Sequence, residues 1–317
     1  MRAFVTGLDG FVGQWLAREL LGAGVEVTGG SRAPDPSFTI LTKDEAAAFP
    51  WSTFELSDEA SLVRALKTAK ADSIFHLAAQ AFVGESLHAP LATFETNVLG
   101  TARLLEAARI AAPDATLVHV GSADAYGHVD PSELPIRETV PLRPANPYAA
   151  SKAAAEMIVL QQARAGVVRA IATRSFNHTG PGQRPDFAVP SFAIQIADIA
   201  RQGSRAALHV GNLDARRDFT DVRDVVRAYR LLVERGTVGT AYNICSGTSV
   251  SMRSIVDDLM RLASVDAPVE IDPARVRPSD AGVVVGDNSL LRKDTGWSPN
   301  VAWRQTLRDV YDWFARA

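Results

Sequence analysis

The feature that most restricts the fold is a glycine triplet near the start of the chain. It reads Thr6-Gly7-Leu8-Asp9-Gly10-Phe11-Val12-Gly13 and lies directly behind the apolar run Ala3-Phe4-Val5. Apolar residues at helical spacing follow, Val12, Leu16 and Leu20, so the triplet falls between a strand and a helix. In that setting each glycine has a steric task. Gly7 permits the tight turn, Gly10 lets backbone approach a pyrophosphate, and Gly13 lets the helix pack close to the sheet. The N–H groups and positive end of the helix, where Phe11 and Val12 stand, then hold negative charge. The spacing is G-x-x-G-x-x-G in place of G-x-G-x-x-G, but the strand–turn–helix context points to a bound dinucleotide.

Strand-like and helix-like segments then alternate. Strands are expected at residues 3–5, 25–28, 52–56, 73–77, 116–120 and 168–173, and helices at 12–21, 59–69, within 90–112, and at 148–165. The polar, Pro-containing stretch 31–50 reads as a loop with a short helix. Strands separated by helices make βαβ units, so the expected fold is α/β, a doubly wound parallel (Rossmann) sheet. Ligands of such sheets bind beyond the carboxyl ends of the strands. After Arg174 the rhythm changes, with helices expected at 189–201, 222–234, 251–262 and 303–314 and only short strands. Residues 1–174 are therefore read as the dinucleotide-binding domain and 175–317 as mainly a smaller substrate lobe, with about 212–245 returning to the first domain.

Composition narrows the function. A net charge of -3 gives no footprint for nucleic acid. Cys245 is the only cysteine, which excludes an intramolecular disulfide and a cysteine-rich metal site. The six histidines show no metal-ligand spacing, so no metal is expected. Arg2 runs straight into the first strand, which does not read as a signal peptide, and no apolar run is long enough for a bilayer. The expectation is a cytoplasmic enzyme without a membrane partner.

Two local patterns give chemistry. The end of the second strand carries Gly30-Ser31-Arg32 where an Asp or Glu would bind a ribose 2′-hydroxyl. A hydroxyl and a guanidinium suit a 2′-phosphate, which favours NADP(H) over NAD(H); the plainer reading makes Arg32 a surface charge. Tyr148 and Lys152 are four apart on a helical segment and share a face. An ammonium near a phenol lowers its pKa and fits it for proton exchange with an oxygen while hydride moves at the adjoining carbon. Ser122, just past the fifth expected strand, can hydrogen-bond the same oxygen. His76 lies in an apolar strand and reads as a satisfied core residue.

With these parts in place, the chain resembles the extended short-chain dehydrogenases/reductases that act on nucleotide sugars. The resemblance runs through Thr6-Gly7-Leu8-Asp9-Gly10-Phe11-Val12-Gly13, His76-Leu77-Ala78-Ala79-Gln80, Asn97-Val98-Leu99-Gly100-Thr101 and Tyr148-Ala149-Ala150-Ser151-Lys152. It implies that Ser122, Tyr148 and Lys152 are the catalytic triad, with Lys152 also on the nicotinamide ribose. Leu77, Ala78, Ala79 and Asn97 are then expected along the cofactor, and Glu55 and Leu56 near the adenine, where Glu55 replaces the family's usual Asp. The resemblance also places Asn177, Arg217 and Arg277 on a nucleotide diphosphate. The phrases Phe176-Asn177-His178-Thr179-Gly180, Arg217-Asp218-Phe219-Thr220-Asp221 and Thr295-Gly296-Trp297 are most similar to the GDP-sugar branch. The expected reaction is NADPH-dependent reduction of the C4 keto group of a GDP-4-keto-6-deoxy-hexose, giving GDP-D-rhamnose or a C4 stereoisomer.

A nucleotide-sugar 4-epimerase, a GDP-mannose 4,6-dehydratase and a non-enzymatic dinucleotide sensor are the rivals. The dehydratases carry Glu, their elimination base, where this chain has Asp124 beside Ala123; the shorter side chain, still expected at the substrate, argues against elimination. Family members pair through two helices, which implies a homodimer through 95–112 and 148–165.

Overall fold

The computed structural model describes residues 1–203, 206–276 and 282–316. Arg277 lies outside the described residues. Six strands of the first half are β1 (Arg2–Thr6), β2 (Glu26–Ser31), β3 (Trp51–Thr53), β4 (Ser73–His76), β5 (Thr116–Ser122) and β6 (Arg169–Ser175). Neighbouring residues of a strand point to opposite faces of its sheet. Val5, Phe75, Val118 and Ile171 accordingly enter one core, and Phe4, Ile74, Leu117 and Ala170 the other.

Helices cover both faces. They are α1 (Phe11–Gly22), α2 (Lys43–Ala47), α3 (Glu59–Ala69), α4 (Val83–His88), α5 (Pro90–Phe94), α6 (Gly100–Ala111) and α7 (Pro147–Arg164). The long helix expected within 90–112 is two helices, α5 and α6, joined by a π turn over Glu95–Leu99. Helix α4 has no counterpart in the sequence reading.

Strand ends differ from expectation for a pairing reason. β2 reaches Ser31 and β5 reaches Ser122 because parallel neighbours continue beside them: Gly30 lies opposite Thr6, and Ser122 opposite Ser175. Ser122 is thus the last residue of its strand and not a loop residue past it. β3 stops at Thr53 because its partner offers only Gly29, Gly30 and Ser31.

The second half contains β7 (Asn177–Thr179), α8 (Ala188–Gln202), β8 (Leu208–Val210), β9 (Arg216–Asp221), α9 (Val222–Arg235), β10 (Ala241–Ile244), β11 (Ser249–Ser251), α10 (Met252–Ala263), β12 (Val269–Ile271), α11 (Ser289–Thr295) and α12 (Trp303–Ala315). β10 pairs with β6, completing a seven-stranded parallel sheet in the order β10-β6-β5-β4-β1-β2-β3. Val222, Val225 and Tyr229 of α9 enter the core that holds Leu16 of α1. Leu291 of α11 and Trp297 join that core too, well past residue 245. The remaining helices, α8, α10 and α12, close a separate core through Ile196, Ile255, Leu259, Leu307 and Val310. Two small sheets, β11-β9-β7 and β12-β8, lie in this half. No helix among the described residues is long and apolar enough to cross a membrane.

Candidate active site and dinucleotide cradle

The cradle starts where β1 ends. Gly7 has φ +69°, a left-handed conformation that glycine adopts without strain. A Cβ on Gly13 would lie 2.4 Å from the Gly7 carbonyl oxygen and 2.6 Å from Leu8 Cα. Gly13 therefore lets α1 pack onto the turn itself. Gly10 is exposed, and its only close neighbour would be the Gly7 oxygen at 3.2 Å. It is the N-cap of α1, and no side chain caps the helix there. Phe11 and Val12 follow, half-buried, in the first turn. A bare backbone surface over an uncapped helix N-terminus fits a pyrophosphate.

At the end of β2 the Ser31 hydroxyl is already committed. It donates to Asp9 Oδ2 at 2.9 Å, and its oxygen accepts the Ala33 N–H at 3.0 Å. Ser31 therefore has no hydrogen left for a phosphate in this arrangement, and Arg32, exposed beside it, is the group able to supply donors. Glu55 is exposed, whereas the half-buried Leu56 packs under Gly100 at the start of α6.

A buried chain of hydrogen bonds fixes the far wall. The Leu77 and Ala78 N–H groups both donate to Thr6 Oγ1. With both lone pairs taken, the Thr6 hydroxyl gives its hydrogen to His76 Nδ1 at 2.9 Å. His76 Nε2–H then donates to Thr101 Oγ1 at 3.0 Å, and Thr101 donates to the Asn97 carbonyl. Burial holds the His76 ring neutral, with its pKa lowered to about 3. His76 is thus a core residue with both nitrogens satisfied. Ala78 backbone presses against Gly7, and Leu77, Ala78 and Ala79 are half-buried at the strand end.

Asn97, expected along the cofactor, has its side chain bonded within the protein. Its side chain is 2% exposed and fully used. The amide accepts from Gln80 N and donates to the Gln80 carbonyl and to Ser151 Oγ. Ser151 in turn donates to the Tyr148 carbonyl. Asn97 braces the first turn of α7 against the cradle wall.

Helix α7 carries the reactive pair. Asn146 caps it through the Ala149 N–H and Pro147 takes the first turn, where no N–H is needed. Ser86 of α4, missed in the sequence because α4 itself was missed, accepts the Tyr148 N–H at 3.2 Å. The Ser122 hydroxyl accepts the Asp124 N–H at 3.2 Å and lies near enough to the Tyr148 phenol to act on its titration. Burial raises the Tyr148 pKa, and the nearby Asp124 carboxylate adds to the rise, whereas the Ser122 hydroxyl opposes it. Lys152 Nζ donates to the Val120 carbonyl at 2.9 Å, and burial brings its pKa down to about 8. The expected lowering of the phenol by Lys152 is therefore not the dominant effect here. The site holds Tyr148 as a phenol, an acid.

β7 reaches the cradle, where the His178 ring stacks on Phe11, and β9 pairs with β7. Asn177, exposed, lies opposite Phe219, two residues from half-buried Arg217 on the neighbouring strand. Arg217 Nη1 donates to the carbonyls of Arg216 and Gly282. The adjacent Asp218 is fully buried and anchors two backbone segments, through the Ser246 and Gly247 N–H groups of one and the Gly286 N–H of the other. Nothing in the sequence marks Asp218 as the clamp beneath Arg217, since its partners lie far along the chain.

Comparison with known proteins gives the family and the fold. The family model described as GDP-mannose 4,6 dehydratase matches residues 4–310. GDP-6-deoxy-D-mannose reductase of Pseudomonas aeruginosa is 37% identical over 317 residues, covering 99% of this chain and 98% of that protein. GDP-mannose 4,6-dehydratase of Vibrio cholerae is 30% identical over 347 residues, covering 98% and 92%. Among solved structures, that of RMD from Pseudomonas aeruginosa complexed with NADPH has a TM-score of 0.87 at 33% identity and covers 100% of both chains. UDP-glucose 4-epimerase of Thermus thermophilus, in complex with NAD, has a TM-score of 0.86 at 30% identity and covers 99% of both.

Proposed function

Because the chain belongs to the GDP-mannose 4,6-dehydratase family of extended short-chain dehydrogenases/reductases, we propose that it reduces the C4 keto group of GDP-4-keto-6-deoxy-D-mannose with NADPH. The product is the C4 alcohol, GDP-D-rhamnose. The observation that carries this reading is the placement of Tyr148 and Lys152 on one helix, with Lys152 Nζ on the Val120 carbonyl, at the carboxyl end of β5 where Ser122 stands. Bound over the glycine cradle, NADPH supplies the hydride taken up by C4. Tyr148 gives its proton to the oxygen at C4, and Ser122 orients that oxygen. Lys152, one helical turn away on the same face, offers positive charge as the phenolate develops. Asn177 and Arg217 hold the nucleotide diphosphate, the arginine through its fixed positive charge.

Asp124 supports reduction over elimination. It is exposed, its side chain is one methylene shorter than a glutamate, and its neighbour Ala123 has no polar group. A base must come within about 3 Å of the proton it removes. We also propose that two copies pair through the helices around 95–112 and 148–165. Leu91 on α5 is 85% exposed and Met157 on α7 is 67% exposed, large apolar side chains that a second copy would cover.

The assay is direct. Protein incubated with the keto-sugar and NADPH should consume the reduced cofactor's absorbance, and Tyr148→Phe should slow this by about 10²–10⁴-fold while still binding NADPH. Release of a keto-sugar from GDP-mannose, with no oxidation of NADPH by the keto-sugar, would favour the dehydratase reading.

A further inference from the structure

We propose that Asp9, a residue of the glycine turn, sets how strongly the site discriminates between dinucleotides with and without a 2′-phosphate, and that it opposes Arg32 in doing so. The inference rests on the dinucleotide reading above. In doubly wound folds a carboxylate at the end of the second strand bonds the ribose 2′-hydroxyl. Here β2 ends in Ser31 and brings no acid. The carboxylate comes instead from another element. Asp9 Oδ2 accepts the hydroxyl of Ser31, itself buried, at 2.9 Å, which fixes the acid beside the strand end.

Asp9 is held from its other side as well. Its carbonyl accepts Gln14 Nε2 at 2.9 Å, and Gln14 Oε1 accepts the N–H groups of Thr39 and Ile40. The half-buried carboxylate is therefore a fixed part of the pocket wall. A carboxylate has about four acceptor positions, and the Ser31 bond uses one of them. Arg32 follows Ser31 directly and is exposed.

Two opposite charges thus flank the place where the ribose 2′ group is read. A 2′-phosphate gains from the Arg32 guanidinium and is repelled by Asp9. A 2′-hydroxyl donates to Asp9 and gains little from Arg32. The chain then tolerates both cofactors, with a smaller preference for NADPH than Arg32 alone would give.

The test is the dissociation constants of NADPH and NADH, from titration of cofactor fluorescence. They are measured for the wild type, Asp9→Asn, Asp9→Ser and Arg32→Ala at low and high salt. Both Asp9 variants should bind NADPH about tenfold tighter and NADH no tighter, with a gain that shrinks as salt rises. Arg32→Ala should weaken NADPH and leave NADH unchanged. The inference is overturned if the two Asp9 variants disagree, if neither changes, or if both cofactors change alike. A wild type that binds neither cofactor overturns the inference together with the dinucleotide reading, and so is distinct from a wild type that binds but whose variants do not discriminate.

Discussion

Tyr148 and Lys152 share one face of α7, yet the same burial acts on them in opposite senses. It raises the phenol, whose charged form is the anion, and lowers the ammonium, whose charged form is the cation, to about 8. The charge of Lys152 still reaches its surroundings, since it contributes to the lowered pKa of both His76 and His119. The pH dependence follows with a definite sign. Tyr148 stays protonated throughout the working range. Lys152 is charged below about pH 8 and loses its charge above it. The reduction rate should be flat below pH 8 and fall by about tenfold per pH unit above it, measured as kcat/KM from pH 6 to 10. A rate still flat at pH 10 would contradict the role given to Lys152. The spacing of this pair was legible because it is local, four residues on one helix. The bond from Asp9 to Ser31 was not, because it joins groups 22 residues apart. Nor was the commitment of the Asn97 amide to Gln80 and Ser151, which only the π turn and the packing of α7 produce.

The elements show why the cradle tolerates little change. Turn and helix meet at Gly13, where a methyl group would strike backbone atoms of Gly7 and Leu8 that cannot swing aside. Gly13→Ala should therefore shift α1 off the turn, cost about 1–3 kcal/mol of stability, and weaken NADPH binding. Thermal unfolding and cofactor titration check both, and an unchanged affinity would contradict the geometry. This element was legible from steric rules alone. Element ends were less so, because a parallel strand stops where its neighbours stop: β5 gains its last two residues from β6, and β3 is short beside β2. Helix α4 escaped notice because its six residues are too few for helical periodicity to show.

At the scale of the molecule, the two halves of the sequence interleave. The first half builds six strands of the sheet, and the second half returns to supply β10, the packing of α9 on α1, and Leu291 and Trp297 in the same core. Sequence rhythm alone could not show this, since α11 is short and its core contact is tertiary. The exposed apolar residues of α5 and α7 belong to this scale. Leu91→Glu combined with Met157→Glu should place carboxylates in the proposed contact between copies and weaken the proposed pairing on the order of a hundredfold. Sedimentation should show a monomer that retains NADPH binding; an unchanged oligomeric state would contradict pairing through this face.

The central claim is that hydride passes from NADPH to C4 of a GDP-keto-sugar. The most direct measurement uses NADPH carrying deuterium at the transferable position of the nicotinamide, with GDP-4-keto-6-deoxy-D-mannose as acceptor and mass and NMR analysis of the product. The account predicts one deuterium per product molecule, located at C4. A product without deuterium, or with deuterium at another carbon, would contradict it.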